Sequence, residues 1–167
     1  MYELMIQQFV KMLKNLSGVL DKGSEYAEMK KFDVHVLLQS RLAPDQFNLI
    51  RQVQIACDSA KLCASRLSGK EAPAHPDTET TVSELKDRIA SVVTYLEKFS
   101  GKDFAEAEKR QISQPRWEGQ YLTGEEYLVH HAVPNVYFHI TTAYSILRHN
   151  GVDVGKKDYL GKMPFKK

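Results

Sequence analysis

Four long stretches of this chain carry apolar residues at every third or fourth position. That spacing puts the apolar side chains on one face of an α-helix, and such a face has to be buried against other elements. The pattern predicts helices over residues 2–29, 44–68, 82–100 and 124–149. Helices of this number and length pack most simply as a four-helix bundle, so the predicted fold class is all-α.

Residues that start and stop helices flank these stretches. Residues 81–84 and 123–126 each place a threonine three positions before a glutamate, which is the pattern of a capping box. The second helix is expected to begin at residues 43–45, because proline is tolerated in a first turn. The pairs 68–69 and 150–151 both end in glycine, a common helix stop.

The segments between the helices complete a single domain over residues 1–167. The connections are long enough for a crossover, so a simple up-and-down topology is not required. Residues 110–122 lose the helical pattern and suggest a short β-hairpin or an ordered loop. The lysine-rich segment 156–167 is expected to be a loosely packed end.

Composition excludes several classes of partner. Lys and Arg number 23 against 21 Asp and Glu, so a net charge of +2 creates no strong field for nucleic acid or an anionic membrane. The first residues show neither a signal peptide nor a membrane-spanning segment. Cys57 and Cys63 lie six apart, about 240° around a helix, and cannot bridge each other. Unpaired thiols favour a cytoplasmic location.

The fourth helix holds the most informative polar residues. Pro134 interrupts its hydrogen bonding and predicts either a kink or a break into two helices. Asn135 and His139 are one turn apart on the same face. Two polar groups in this spacing can hold a metal or can simply bond within the core, and spacing alone favours the core interpretation. No phosphate-binding loop, His-Glu-x-x-His or Gly-x-Ser-x-Gly motif is present.

Four segments of the chain carry a resemblance to a known family. They are residues 41–47, 51–58, 76–81 and 134–151, which together span most of the sequence. They resemble an uncharacterised domain family of unknown function that is similar to the DinB/YfiT-like superfamily, whose members are regarded as metalloenzymes. The resemblance implies a four-helix bundle with a crossover connection.

The resemblance also implies a divalent metal held by three histidines. One histidine would come from the second helix, and two from a His-x-x-x-His turn on the fourth, about twelve residues before a glycine. His139 precedes Gly151 by twelve and matches the last of these histidines, whereas Asn135 replaces the one before it. The second-helix position falls on Gln54, with Gln52 as the alternative; Gln54 is preferred because it flanks the apolar stripe.

Amide oxygens are much weaker donors to zinc or nickel than imidazole, so this departure from the family pattern argues against a tightly held metal. The expectation is no cofactor, with zinc or nickel held through His139 as the alternative. The pocket is predicted to bring three polar residues together near Pro134, with three further candidates for its ligands or wall. The full set is Gln54, Asn135, His139, Asp58, Tyr144 and Trp117.

Two functional hypotheses follow. The first is a small-molecule-binding or structural protein with a degenerate metal site. The second is a metal-dependent hydrolase or thiol transferase that uses His139 as ligand or general base, with Asp58 as an added ligand. A homodimer is expected from the resemblance. Apolar residues outside the main stripe of the first helix support it, namely Leu4, Ile6, Val10 and Val19.

Overall fold

The computed structural model describes residues 1–166, and Lys167 lies outside the described residues. Its long helices are α1 (Tyr2–Lys30), α3 (Leu49–Ser68), α4 (Val82–Leu96) and a composite fourth helix. The composite consists of α5 (Gly124–Glu126), a π-helical turn (Tyr127–Ala132) and α6 (Val133–His149). The short elements are α2 (His35–Gln39), α7 (Lys156–Leu160) and the strands β1 (Gln111–Ile112) and β2 (Leu122–Thr123). The all-α prediction is confirmed.

The order of the helices in space shows the crossover. Helix α1 packs mainly beside α4 and α6, and α3 packs beside the same two helices. Consecutive long helices α1 and α3 therefore occupy opposite corners, and the chain between them crosses one end of the bundle. Helix α3 is buried on several sides, and its fully buried residues include Val53, Cys57, Ala60 and Leu67.

Two predicted helix boundaries are wrong, and a side-chain cap explains the first. Helix α3 begins at Leu49 rather than near residue 44, because the Asn48 side chain accepts a hydrogen bond from the Arg51 amide at 3.0 Å. Helix α4 ends at Leu96 rather than near residue 100. Ser100 instead starts a separate 3₁₀ turn, where its amide donates to the Asp103 carboxylate at 2.8 Å.

Other local expectations are met. Both predicted capping boxes form, at Thr81 with Glu84 and at Thr123 with Glu126. Strands β1 and β2 pair antiparallel as a two-stranded hairpin. The segment expected to be a loosely packed end differs from that expectation over residues 156–160. These residues form α7 and contact α1, where the Asn15 side chain donates to the Tyr159 carbonyl at 2.9 Å.

The proline in the fourth helix is accommodated by a change in helix type. The backbone is π-helical up to Ala132, and Pro134 lies in the first turn of α6. Pro134 has no amide hydrogen to donate, and it follows directly on the π-helical turn, whose last bond runs from the Val133 amide to the Leu128 carbonyl. Within residues 1–166, none of the helices combines the length and the apolar composition needed to cross a bilayer.

Candidate functional site

Helix α3 buries polar side chains on two faces. One face meets α6 and forms what we call the neutral seam, made of Gln52, Ser59, Asn135 and His139. The other face meets α4 and the 69–81 loop and forms the ionic cluster. Its members are Arg51, Asp58, Lys61, Asp77, Glu79 and Arg88.

The centre of the neutral seam is a buried hydrogen bond between Gln52 and His139. Gln52 Oε1 lies 2.7 Å from His139 Nδ1, and the Gln52 amide nitrogen donates to the Phe47 carbonyl at 3.0 Å. The Phe47 carbonyl can only accept, so it fixes which end of the Gln52 amide faces the histidine. Nδ1 must then carry the proton, and the other ring nitrogen, Nε2, keeps its lone pair.

The surroundings of His139 keep its imidazole neutral. The residue is 8% exposed, and burial, aided by the nearby Arg51 cation, lowers the pKa of His139 to about 4. Among the described residues, Nε2 has no hydrogen-bond partner, and it is not among the fully buried unpaired atoms. His139 therefore offers a neutral acceptor that solvent can reach.

Asn135 belongs to the same seam but has a different partner. Its amide nitrogen donates to Ser59 Oγ at 2.9 Å, two helical turns along α3 from Gln52. The two pairs show that α3 and α6 run antiparallel, with Asn135 one turn from His139. Both side chains on α6 are thus tied to α3 by separate bonds.

Gln54, preferred at the sequence level as the partner of His139, does not bond it. Its amide nitrogen donates to Glu79 at 2.9 Å, and its oxygen accepts from Arg51 at 3.1 Å. Residues two apart on a helix point about 200° away from each other, so Gln52 and Gln54 cannot share a face. The preference assumed one buried face on α3, whereas both Gln52 and Gln54 are buried.

Asp58 lies in the ionic cluster rather than beside His139. It pairs with Lys61 and Arg88, both at 2.9 Å. Arg88, whose side chain is 1% exposed, also pairs with Asp77 and Glu79 at 3.0 Å. Together with Arg51, which pairs with Asp77, three cations face three carboxylates. The ion pairs of Asp77 and Glu79 with Arg51 and Arg88 hold the 69–81 loop against α3 and α4.

A serine and a histidine meet next to this cluster. His75 Nε2 lies 2.9 Å from Ser91 Oγ, and His75 Nδ1 lies 3.0 Å from Lys61 Nζ. Since an ammonium group can only donate, Nδ1 must accept, and Nε2 carries the proton that points at the serine. A hydrolytic triad requires the opposite tautomer, so Ser91 is not activated as a nucleophile here. No sequence motif indicated this contact.

The two remaining candidates lie elsewhere. The Tyr144 hydroxyl donates to the Val154 carbonyl at 3.3 Å, and its ring packs against Tyr159 of α7. Trp117 is half-buried and contacts Tyr127 and His131 of the π-helical turn. None of the polar bonds of the neutral seam involves either residue.

The residues present do not fit the three-histidine metal centre that the resemblance implies. Only His139 supplies an imidazole, and its Nδ1 is committed to Gln52. The Asn135 amide is turned toward Ser59. Across residues 1–166, no three His, Cys, Asp or Glu side chains lie close enough together to hold an ion. One imidazole nitrogen and amide oxygens are a poor donor set for zinc or nickel.

Comparison with known proteins identifies the family. A family model for a domain of unknown function, DUF1993, matches residues 1–160. The chain belongs to the DUF1993 family. It is also similar to a solved structure, the crystal structure of a DinB family member protein from Shewanella denitrificans. The TM-score is 0.96 at 65% identity, over 99% of this chain and 94% of that one. The DinB-like fold of this DUF1993 member is thus confirmed. No curated protein matches the chain.

Proposed function

We propose that this DUF1993 protein binds a small uncharged molecule at the neutral seam, in place of the metal that the DinB-like resemblance implies. The observation that carries the proposal is the Gln52–His139 bond, which fixes the tautomer and leaves Nε2 as an acceptor. An alcohol or amide that donates a hydrogen bond to Nε2 would give this acceptor a partner without adding charge to the buried surroundings.

The chemistry of His139 and Asp58 favours binding over the hydrolase or thiol transferase alternative. An imidazole with a pKa of about 4 is a weak general base at neutral pH, where the most effective bases have pKa values near 7. Asp58, the added ligand of that alternative, is engaged by Lys61 and Arg88. The enzyme hypothesis therefore lacks both a general base with a pKa near neutral pH and a second metal ligand.

The test combines metal analysis with nuclear magnetic resonance of the full chain. Protein purified without an affinity tag should hold far less than one zinc or nickel per chain. Acetamide and a set of small alcohols should move the side-chain ¹⁵N signal of His139 Nε2, with the His75 signals as an internal control. Stoichiometric metal that is lost in His139→Gln would overturn the proposal, as would a set of probes that leaves Nε2 unmoved.

A second variant tests whether the site is a degenerate metal centre. Replacing Gln52 and Asn135 together by histidine restores the three-imidazole donor set on the observed α3–α6 geometry. We expect a gain of tight zinc or nickel binding, measured by calorimetry. The matched control replaces Gln54 and Asn135 by histidine, and it should gain less because residue 54 faces Glu79.

We also propose that the chain forms a homodimer in the cytoplasm. Of the four residues that suggested a partner surface, Ile6 and Val19 are buried in the core of the chain itself, whereas Leu4 is 70% exposed and Val10 half-buried. Leu4→Glu should therefore shift a dimeric mass in light scattering to a monomeric one, and a monomeric parent protein would reject the dimer. The buried, unpaired thiols of Cys57 and Cys63 support a reducing compartment.

A further inference from the structure

A group of cationic and aromatic side chains surrounds the π-helical turn, away from the neutral seam. We call it the aromatic–arginine cluster, and it consists of Arg66, Arg116, Trp117, Tyr127 and His131. The Tyr127 and His131 rings stack at a centroid distance of 5.3 Å and an angle of 16°. Trp117 meets both rings edge-on, at 6.3 Å and 5.3 Å.

The two arginines bind neutral groups instead of carboxylates. Arg66 donates to the Tyr127 hydroxyl at 2.9 Å, and its guanidinium lies 5.7 Å from the centre of the Tyr127 ring. Arg116 contacts His131 Nε2 at 2.8 Å. Within the described part of the chain neither forms an ion pair, in contrast to Arg51 and Arg88.

His131 does not reduce this positive charge. Because a guanidinium can only donate, Nε2 accepts from Arg116, and the proton resides on Nδ1. Nδ1 is buried, and no atom within residues 1–166 forms a hydrogen bond with it. Burial and then the Arg116 and Arg66 cations lower the pKa of His131. The cluster therefore presents two guanidinium groups, which form no ion pair among the described residues, beside three packed aromatic rings.

We propose that the aromatic–arginine cluster binds a small organic oxyanion, a carboxylate or a phosphate monoester attached to an aromatic or apolar body. Guanidinium groups match the geometry of both oxyanions and bind them with two parallel hydrogen bonds. The half-buried Trp117 ring offers a surface for the body of the ligand. Arg116 is exposed, so it can turn toward a ligand without disturbing the core. A π-helical turn is also a frequent feature of functional sites.

Trp117 makes the proposal directly measurable, because it is the only tryptophan in the sequence. The full chain is titrated with phenyl phosphate, benzoate and inorganic phosphate while tryptophan fluorescence is recorded. Benzamide serves as the neutral analogue of benzoate. We expect a saturable change with at least one oxyanion and none with benzamide. A tighter response to phenyl phosphate assigns a phosphate ligand, and a tighter response to benzoate assigns a carboxylate.

Arginine variants separate specific binding from general attraction. Arg116→Gln should weaken oxyanion binding about ten- to hundredfold, the range expected for loss of a charged hydrogen bond. Arg41→Gln is the matched control. Arg41 is exposed, and its side chain bonds only the Pro44 carbonyl in the part of the chain that the structure describes; this variant should bind oxyanions as the parent does. Three outcomes would each overturn the proposal: no saturable response to any oxyanion, an equal response to benzamide, or parent-like binding by Arg116→Gln.

Discussion

The two polar faces of α3 bury polar groups by opposite means. In the neutral seam, Gln52, Ser59, Asn135 and His139 are desolvated without any net charge. In the ionic cluster, Arg88 and Lys61 are desolvated, Arg51 and Asp77 stay partly exposed, and each cation meets a carboxylate. The neutral seam keeps one acceptor available, at His139 Nε2, whereas the ionic cluster consumes its charges internally. The comparison shows that the charges of the ionic cluster are taken up by contacts within the bundle, and that the neutral seam is the face of α3 that leaves an acceptor without a partner among the described residues.

Removing the central cation should break the ionic cluster with the largest effect. Arg88→Met removes a cation whose side chain is 1% exposed. It leaves Glu79, 11% exposed, without an ion-pair partner among the described residues, while Asp58 keeps Lys61 and Asp77 keeps Arg51. We expect a loss of about 3–5 kcal/mol in the free energy of unfolding, measured by urea denaturation. Lys86→Met is the control, because it removes a solvent-exposed pair with Asp21 and should cost at most about 1 kcal/mol. Equal losses in the two variants would contradict a buried role for Arg88.

Lowering the pH should act on the neutral seam through His139. The unfolded imidazole takes up a proton near pH 6.5, whereas the folded one resists until about pH 4. Stability is therefore complete above pH 6.5 and falls as the pH drops toward 4, by up to about 3 kcal/mol.

The measurement is the difference between the parent and His139→Gln across that window. His75 and His131 also have lowered pKa values, so only the difference isolates His139. His35→Gln changes an exposed histidine and serves as the control. Parallel stability curves for the parent and His139→Gln would show that the imidazole is not desolvated.

The smallest expected effect is that of the Asn135–Ser59 bond. A double-mutant cycle with Asn135→Ala and Ser59→Ala should give a coupling of about 0.5–1.5 kcal/mol, the net value of one neutral hydrogen bond. Pairing Asn135→Ala with Gln54→Ala provides the uncoupled comparison, since Gln54 bonds Glu79 and Arg51. A coupling free energy near zero in the first cycle would show that the Asn135 and Ser59 side chains do not interact.

Most of the fold could be predicted because short-range sequence patterns determine where the helices begin and run. The apolar period located the four long helices, and both capping boxes form where threonine precedes glutamate by three. The start of α3 was predicted wrongly because Pro44 and Asn48 are both acceptable helix starters. The Asn48 side chain decides between them only when it bonds the Arg51 amide.

The site was less accessible from the sequence. The spacing of Asn135 and His139 located the α6 side of the neutral seam, but the choice between Gln52 and Gln54 depends on which helix faces which side of α3. Which helix faces which side of α3 is decided by tertiary packing. The assumption that α3 has a single buried stripe led to the wrong choice of Gln54. Arg88, Glu79 and His75 carried no motif, since ion pairs between residues from a loop and two helices leave no spacing to read.

The π-helical turn has a consequence for how this family can vary in length. A π-helical turn is an α-helix with one residue inserted. Deleting a residue from Tyr127–Ala132 would restore an ordinary helical turn and leave α6 in place. The same deletion within α6 would rotate every later side chain by about 100° and carry His139 away from Gln52. The turn thus allows the loss of one residue on the hairpin side without a change in the neutral seam.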